Sequence, residues 1–289
     1  MTPAEYCRTK VGQPGSSLYY RTLFLPTAKR NAMMALHAYF REVAGVVDEC
    51  QEPAVARIKL EWWREEIRNA VSATPSHPVG KALQAVLAEY PLSPDTLLEF
   101  IDGIAMNLDH GRYQTFDGLG VYCERVGGTA ALLDASVCGY ADPATIPPIR
   151  QLGVAHALTR IVCDTGKDAR RNRIYIPMEE LARFDVPIAD ILNRREHEKL
   201  QSLIIHQIER VESFCERAIA KLPENDRPQQ LPALITAALD RTLLQEIGND
   251  GCHVLRQRTA LPPLRKLWIA WNTRRRERRW HKSQQSKRA

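Results

Sequence analysis

The chain has 289 residues, 44% of them hydrophobic and 26% charged, which suits a soluble globular protein with a sizeable core. It contains no run of about 18 apolar residues, which excludes a transmembrane helix, and its opening, MTPAEYCRTK, lacks the apolar stretch of a signal peptide. The formal charge of +6 is uneven: residues 265–289 hold ten Lys/Arg and one Glu, a local +9 that leaves residues 1–264 at −3.

Taken in chain order, the periodicity is helical. Residues 28–50 and 54–71 read as helices parted by Gln51-Glu52-Pro53. After a break at 72–78, Ser93-Pro94-Asp95 opens a helix over 93–110, with Leu97, Leu98, Ile101, Ile104 and Leu108 on one face. Helices follow over 117–140 and 149–168, separated by a Pro-containing break at 141–148. Ile174-Tyr175-Ile176-Pro177 alone looks extended, and it is too short to imply a sheet. Residues 195–222 and 231–248 are again helical, on either side of a break at 223–230. No internal repeat interrupts this pattern. The expected fold class is all-α, with one domain over 1–264 and a basic Trp/Arg-rich tail over 265–289. The seven cysteines are scattered and show no CxxC spacing, so buried free thiols in a cytoplasmic protein are expected rather than a zinc site or disulfides.

Within the segment 161–177, Asp164 and Asp168 are four residues apart. Four residues advance about 6 Å and return to within about 40° of the same direction, so both carboxylates leave one helix face. Such a pair can hold Mg²⁺ through oxygen ligands, or it can belong to an ion-pair network with Arg170, Arg171 and Arg173.

The stretches GSSLYYRTLFLP (15–26), ALHAYFREVAGVVDEC (35–50), KLEWWREEI (59–67), RYQTFDGLGVYCERVGGT (112–129), DTGKDARRNRIYIP (164–177) and LRKLWIAW (264–271) carry a fuller signal. In order and from end to end, they resemble the squalene/phytoene synthase family, and its presqualene diphosphate synthase branch in particular. The resemblance implies a single isoprenoid-synthase bundle of helices around a central apolar cavity. Two prenyl diphosphates enter that cavity, and aspartate-held Mg²⁺ assists departure of one diphosphate. By the same resemblance, Ser17, Tyr20, Arg41 and Arg258 match diphosphate-binding positions, and Asp48, Asp164 and Asp168 match metal-holding ones.

The sequence also departs from the family pattern. The first acidic motif is reduced to Ala44-Gly45-Val46-Val47-Asp48. In the second motif, Ala157, Arg160 and Cys163 replace the usual Gln, Asn and Arg. Ala105 and Asn107 stand in place of an acidic pair, and Asp240 in place of a cavity Tyr. Arg160, one turn before Asp164, is expected to pair with it and to present a guanidinium to phosphate. The expected function is therefore binding of a prenyl diphosphate or related isoprenoid lipid, with the usual Mg²⁺-dependent condensation impaired or lost. The alternative is an active head-to-head prenyltransferase that converts two farnesyl diphosphates to presqualene diphosphate or a related thirty-carbon product.

In the tail, Leu267, Trp268, Ile269 and Trp271 precede Arg274, Arg275, Arg276, Arg278 and Arg279. Clustered Arg with Trp suits an anionic membrane surface and hence peripheral membrane association. The same composition can grip nucleic acid or form a solvated terminus, but the acidic body disfavours nucleic acid.

Overall fold

The computed structural model describes residues 1–50, 52–109 and 111–288; Gln51 of the first expected break and His110 at the end of the third expected helix lie outside them. Its helices are α1 (Pro3–Val11), α2 (Ser17–Thr22), α3 (Thr27–Glu49), α4 (Pro53–Ser72), α5 (Pro78–Glu89), α6 (Pro94–Asp109), α7 (Phe116–Cys123), α8 (Thr129–Cys138), α9 (Ile146–Ala169), α10 (Met178–Arg183), α11 (Ile188–Leu192), α12 (Glu198–Lys221), α13 (Leu231–Asn249) and α14 (Pro263–Arg288). No strand forms among the described residues, so the chain is all-α as expected. The extended stretch at 174–177 contributes a single parallel bridge, Ile174 to Arg112.

Local chemistry sets most of the helix starts. Thr2 and Glu5 form a reciprocal capping box on α1, and Pro53 and Pro78 occupy the first positions of α4 and α5, where a missing N–H costs nothing. The helix expected over 117–140 is realised as α7 and α8 joined by a π-turn at Glu124–Gly128. Inserting one residue into the helical ladder in this way commonly marks a functional wall. Sequence periodicity passed over α5, although its Val79, Leu83 and Val86 form a buried stripe.

Among the described residues the buried apolar side chains form three clusters. One surrounds α9 and α12, and a second joins α3 through α6. The third is small and lies under α14, where Tyr20, Ile235, Leu239 and Leu261 meet Ile269 and Ala270. The basic tail is thus helical and seated on the body. Ile269, Ala270, Thr273 and Glu277 form its buried side, and Glu277 takes a bidentate ion pair from Arg227, with Nε–Oε2 at 2.6 Å.

Two close backbone approaches shape the space between the larger clusters. A Cβ on Gly153 of α9 would stand 2.1 Å from the Gly127 carbonyl oxygen of the π-turn, so the two backbones touch where only glycine fits. Further along α9, the Gly166 N–H donates to the Val254 carbonyl at 3.2 Å. This contact lets the 252–258 segment lie against the helix and carries Arg258 over Asp164.

Candidate functional site

Between the two large clusters lies a cavity of about 610 Å³, lined by α3, α6, the π-turn, α8, α9 and the start of α13. Its wall is largely apolar, with Phe40, Phe100, Ile104, Leu152 and Ile161 among its lining. Polar side chains collect at two levels.

The first level is the mouth, near the C-terminal end of α9. Asp164 is ion-paired by Arg160 from its own helix and by Arg258, whose Nε lies 2.8 Å from Oδ1. Across the opening, at the end of α3, Asp48 accepts from Arg173 Nη1 at 2.8 Å and pairs with Arg171 Nη1 at 2.7 Å. Arg173 also donates to the Val47 carbonyl at 2.7 Å, fixing the 170–173 turn to α3. Burial pushes the Asp48 carboxyl up, but the two arginines outweigh it and hold it below the usual carboxylate range. Asp168 behaves oppositely: burial, reinforced by the Asp164 charge, pushes it up to about 6. Arg41 lines the same mouth and donates to the Lys10 carbonyl at 2.6 Å.

The second level lies deeper. Asp134 accepts from Arg21 at 2.9 Å and approaches His37 Nε2 at 3.0 Å, and Arg21 contacts His37 in turn. Burial raises the Asp134 carboxyl, but His37 and Arg21 bring it below its ordinary value; burial lowers His37. From α9, His156 Nδ1 meets Asp240 Oδ2 of α13 at 2.7 Å.

Of the residues singled out from sequence, Asp48, Arg41, Arg160, Asp164 and Asp168 converge on the cavity, and the Arg160–Asp164 pair forms as the helical spacing requires. Arg258 reaches the group from the rim. Ser17 is exposed at the first turn of α2, next to the cavity-lining Leu18. Tyr20, expected beside a diphosphate, instead packs in the small cluster under α14. Two residues beyond Leu18 it lies about 200° around a short helix, so it faces away. Sequence reasoning missed Arg21, His37, Asp134 and His156. Extending the four-residue ladder of Asp168, Asp164 and Arg160 one more step would have reached His156, whereas the partners of Asp134 come from elements 97 and 113 residues distant.

A resident divalent cation needs free carboxylate lone pairs. Asp48 and Asp164 each face two guanidinium groups, and among the described residues no cluster of three or more His, Cys, Asp or Glu side chains is arranged to hold a metal. Asp164 Oδ1, although 2.8 Å from Arg258 Nε, makes no hydrogen bond among the described residues, so this donor set leaves room for a cation as well as for an arginine-held phosphate.

The helical architecture and its central cavity define an isoprenoid-synthase type of fold. The crystal structure of a ligand-bound dehydrosqualene synthase matches it with a TM-score of 0.82 at 21% identity, covering 94% of this chain and 95% of that one. The structure of a squalene synthase from Alicyclobacillus acidocaldarius matches with a TM-score of 0.76, also at 21% identity, over 86% of this chain and 94% of that one. The sequence then gives the family. Residues 11–265 match the squalene/phytoene synthase profile, and the chain belongs to that family. It is 33% identical to a phytoene synthase of Arthrospira platensis over 91% of this chain and 89% of that protein. It is 32% identical, with the same coverages, to a 15-cis-phytoene synthase of Synechococcus elongatus.

Proposed function

We propose that this protein binds a prenyl diphosphate or a closely related isoprenoid amphiphile, with arginines at the cavity mouth taking the charge that metal ions would otherwise neutralise. The observation that carries the reading is the pairing of Asp48 and Asp164 with two arginines each, beside an apolar cavity of about 610 Å³. Arg160, Arg258, Arg173 and Arg41 would hold the head group, with Ser17 at the rim, and the apolar wall would exclude water from the chain. Mg²⁺-dependent condensation is then impaired or lost, because transition-state charge stabilisation typically contributes about 10²–10³ in rate per partner.

Calorimetric titration with farnesyl diphosphate in EDTA tests this. Binding is expected without Mg²⁺ and should weaken about tenfold or more in Arg160→Ala, the loss of one charge-assisted hydrogen bond of roughly 1.5–3 kcal/mol. Binding that required Mg²⁺ and ignored Arg160 would overturn it.

A second reading is supported by Asp168, which lines the cavity with no arginine ion pair among the described residues. Under it, Asp48, Asp164 and Asp168 recruit one Mg²⁺ and the protein condenses two farnesyl diphosphates to presqualene diphosphate or a related product. A thirty-carbon product from the unmodified protein with farnesyl diphosphate and Mg²⁺ would establish it. Product from the Ala44→Asp/Arg160→Asn double variant alone would favour the first reading.

We also propose that α14 rests on an anionic membrane surface. Leu264, Trp268 and Trp271 are exposed beside Arg274, Arg275, Arg278 and Arg279, and Arg276 is exposed on the same helix, although no helix among the described residues is long and apolar enough to cross a membrane. Co-sedimentation with phosphatidylserine vesicles, absent with phosphatidylcholine vesicles, is the expected outcome.

A further inference from the structure

The deeper polar level has no role in holding a head group at the mouth. A cavity meant for hydrocarbon alone gains nothing from it, since a buried polar group stabilises only when its hydrogen bonds are complete. The two halves of this level differ in that respect. Arg21, His37 and Asp134 satisfy one another, and Arg21 also reaches Thr236 Oγ1 at 3.4 Å. His156 has an open valence. Its Nδ1 meets the buried Asp240 carboxylate at 2.7 Å, while its Nε2 has no hydrogen bond among the described residues, although the side chain lines the cavity. A ring whose Nδ1–H is held by a carboxylate presents the Nε2 lone pair when neutral, and so seeks a donor. The dyad also stands at a defined depth. His156, Arg160, Asp164 and Asp168 follow at four-residue intervals on α9, which puts His156 about 12 Å from Asp164 and about 6 Å from Arg160 along the helix.

From this geometry we propose that the His156–Asp240 dyad is a binding site for a hydroxyl group on the chain of the bound amphiphile, so that the preferred ligand carries both an anionic head and, about 6–12 Å along its chain, a hydrogen-bond donor. The inference rests on the arginine-held head group proposed above. It deepens that reading by assigning the ligand to oxygenated rather than purely hydrocarbon chains. The hydroxyl would donate to His156 Nε2, and Asp240 would hold the imidazole in the accepting tautomer.

The test compares dodecyl phosphate with 7-hydroxydodecyl phosphate, which differ by one oxygen placed within that span of the chain, titrated into the full-length protein in EDTA. The hydroxylated probe should bind about tenfold more tightly. In His156→Phe/Asp240→Leu, which replaces both partners by apolar groups, that preference should vanish or reverse while dodecyl phosphate binds as well as before or better. Asp240→Asn, a smaller change, should reduce the preference without affecting dodecyl phosphate. Equal affinity of the unmodified protein for the two probes overturns the dyad proposal alone, and needs no variant to be read. A preference that persists in the double variant also overturns it. Failure of both probes to bind overturns the anionic-head reading and this inference with it.

Discussion

Replacing Gly153 by alanine should destabilise the protein, although alanine is the better helix former. An added Cβ would lie 2.1 Å from the Gly127 carbonyl oxygen and 2.6 Å from its carbon, and those atoms belong to backbone that cannot rotate away. Restoring an ordinary contact requires α9 and the π-turn to part by about 1 Å along the cavity wall, a local overpacking that costs about 3 kcal/mol at the upper end of its usual range. Alanine returns about 1 kcal/mol through helix propensity, for a net loss of roughly 2 kcal/mol. Gly45→Ala provides the control. That glycine is also helical, but among the described residues its added Cβ would meet only the Glu49 side chain, at 3.5 Å, so propensity should dominate and stabilise by about 1 kcal/mol. In thermal melts by circular dichroism, with about 2–4 °C per kcal/mol for a chain of this size, Gly153→Ala should fall by roughly 4–8 °C and Gly45→Ala rise by roughly 2–4 °C. A Gly153→Ala protein as stable as the unmodified one would refute the argument that backbone contact, rather than helix propensity, decides this position.

Further outcomes follow from other contacts. Asp226 is buried and accepts from the Ala141 and Asp142 N–H groups at 2.9 Å each and from the Thr145 hydroxyl at 2.7 Å; burial raises its carboxyl, but these donors hold it below the usual range. Its contribution is therefore complete above the unfolded value of about 4 and is lost as pH falls through the lower folded value, so Asp226→Asn should flatten the acid limb of a urea-midpoint profile. An unchanged limb would contradict this. Glu277→Ala strands Arg227, which is largely buried and stacked 4.5 Å from the Trp280 ring, and should cost roughly 3 kcal/mol. Limited proteolysis should then cut first within α14; cleavage elsewhere first would argue against its role as the anchor of that helix. Burial pushes the thiols of Cys7 up to about 11 and of Cys138, Cys163 and Cys215 up to about 12, so thiol-specific reagents at pH 8 should label native protein at Cys50 and the other cysteines only on unfolding. Two or more fast thiols would show that one of these sites opens.

Much of this architecture is legible in the sequence because helices announce themselves locally. The expected helices over 28–50, 54–71 and 231–248 match α3, α4 and α13 to within one residue at each end. The Asp164–Arg160 pair was equally readable, being a consequence of helical spacing alone. The packing of Tyr20 under α14 is not legible in the sequence, because a match of segments fixes position along the chain but not which side of a six-residue helix faces the cavity. The cluster of Arg21, His37 and Asp134 could not be read at all, since each member is ordinary within its own helix and gains meaning only when α2, α3 and α8 meet. The tail shows the opposite failure. Its charge dominated the composition and hid the buried ladder of Ile269, Thr273 and Glu277 that seats it.

If the proposed head group binds at the mouth, the carboxylate–arginine pairing makes its entry an exchange rather than an addition. Arg171 and Arg173 already neutralise Asp48, and through it they latch the 170–173 turn to the end of α3. Under the proposed reading, a phosphate that recruited either guanidinium would compete with that latch, coupling head-group capture to the contact between α3 and the 170–173 turn.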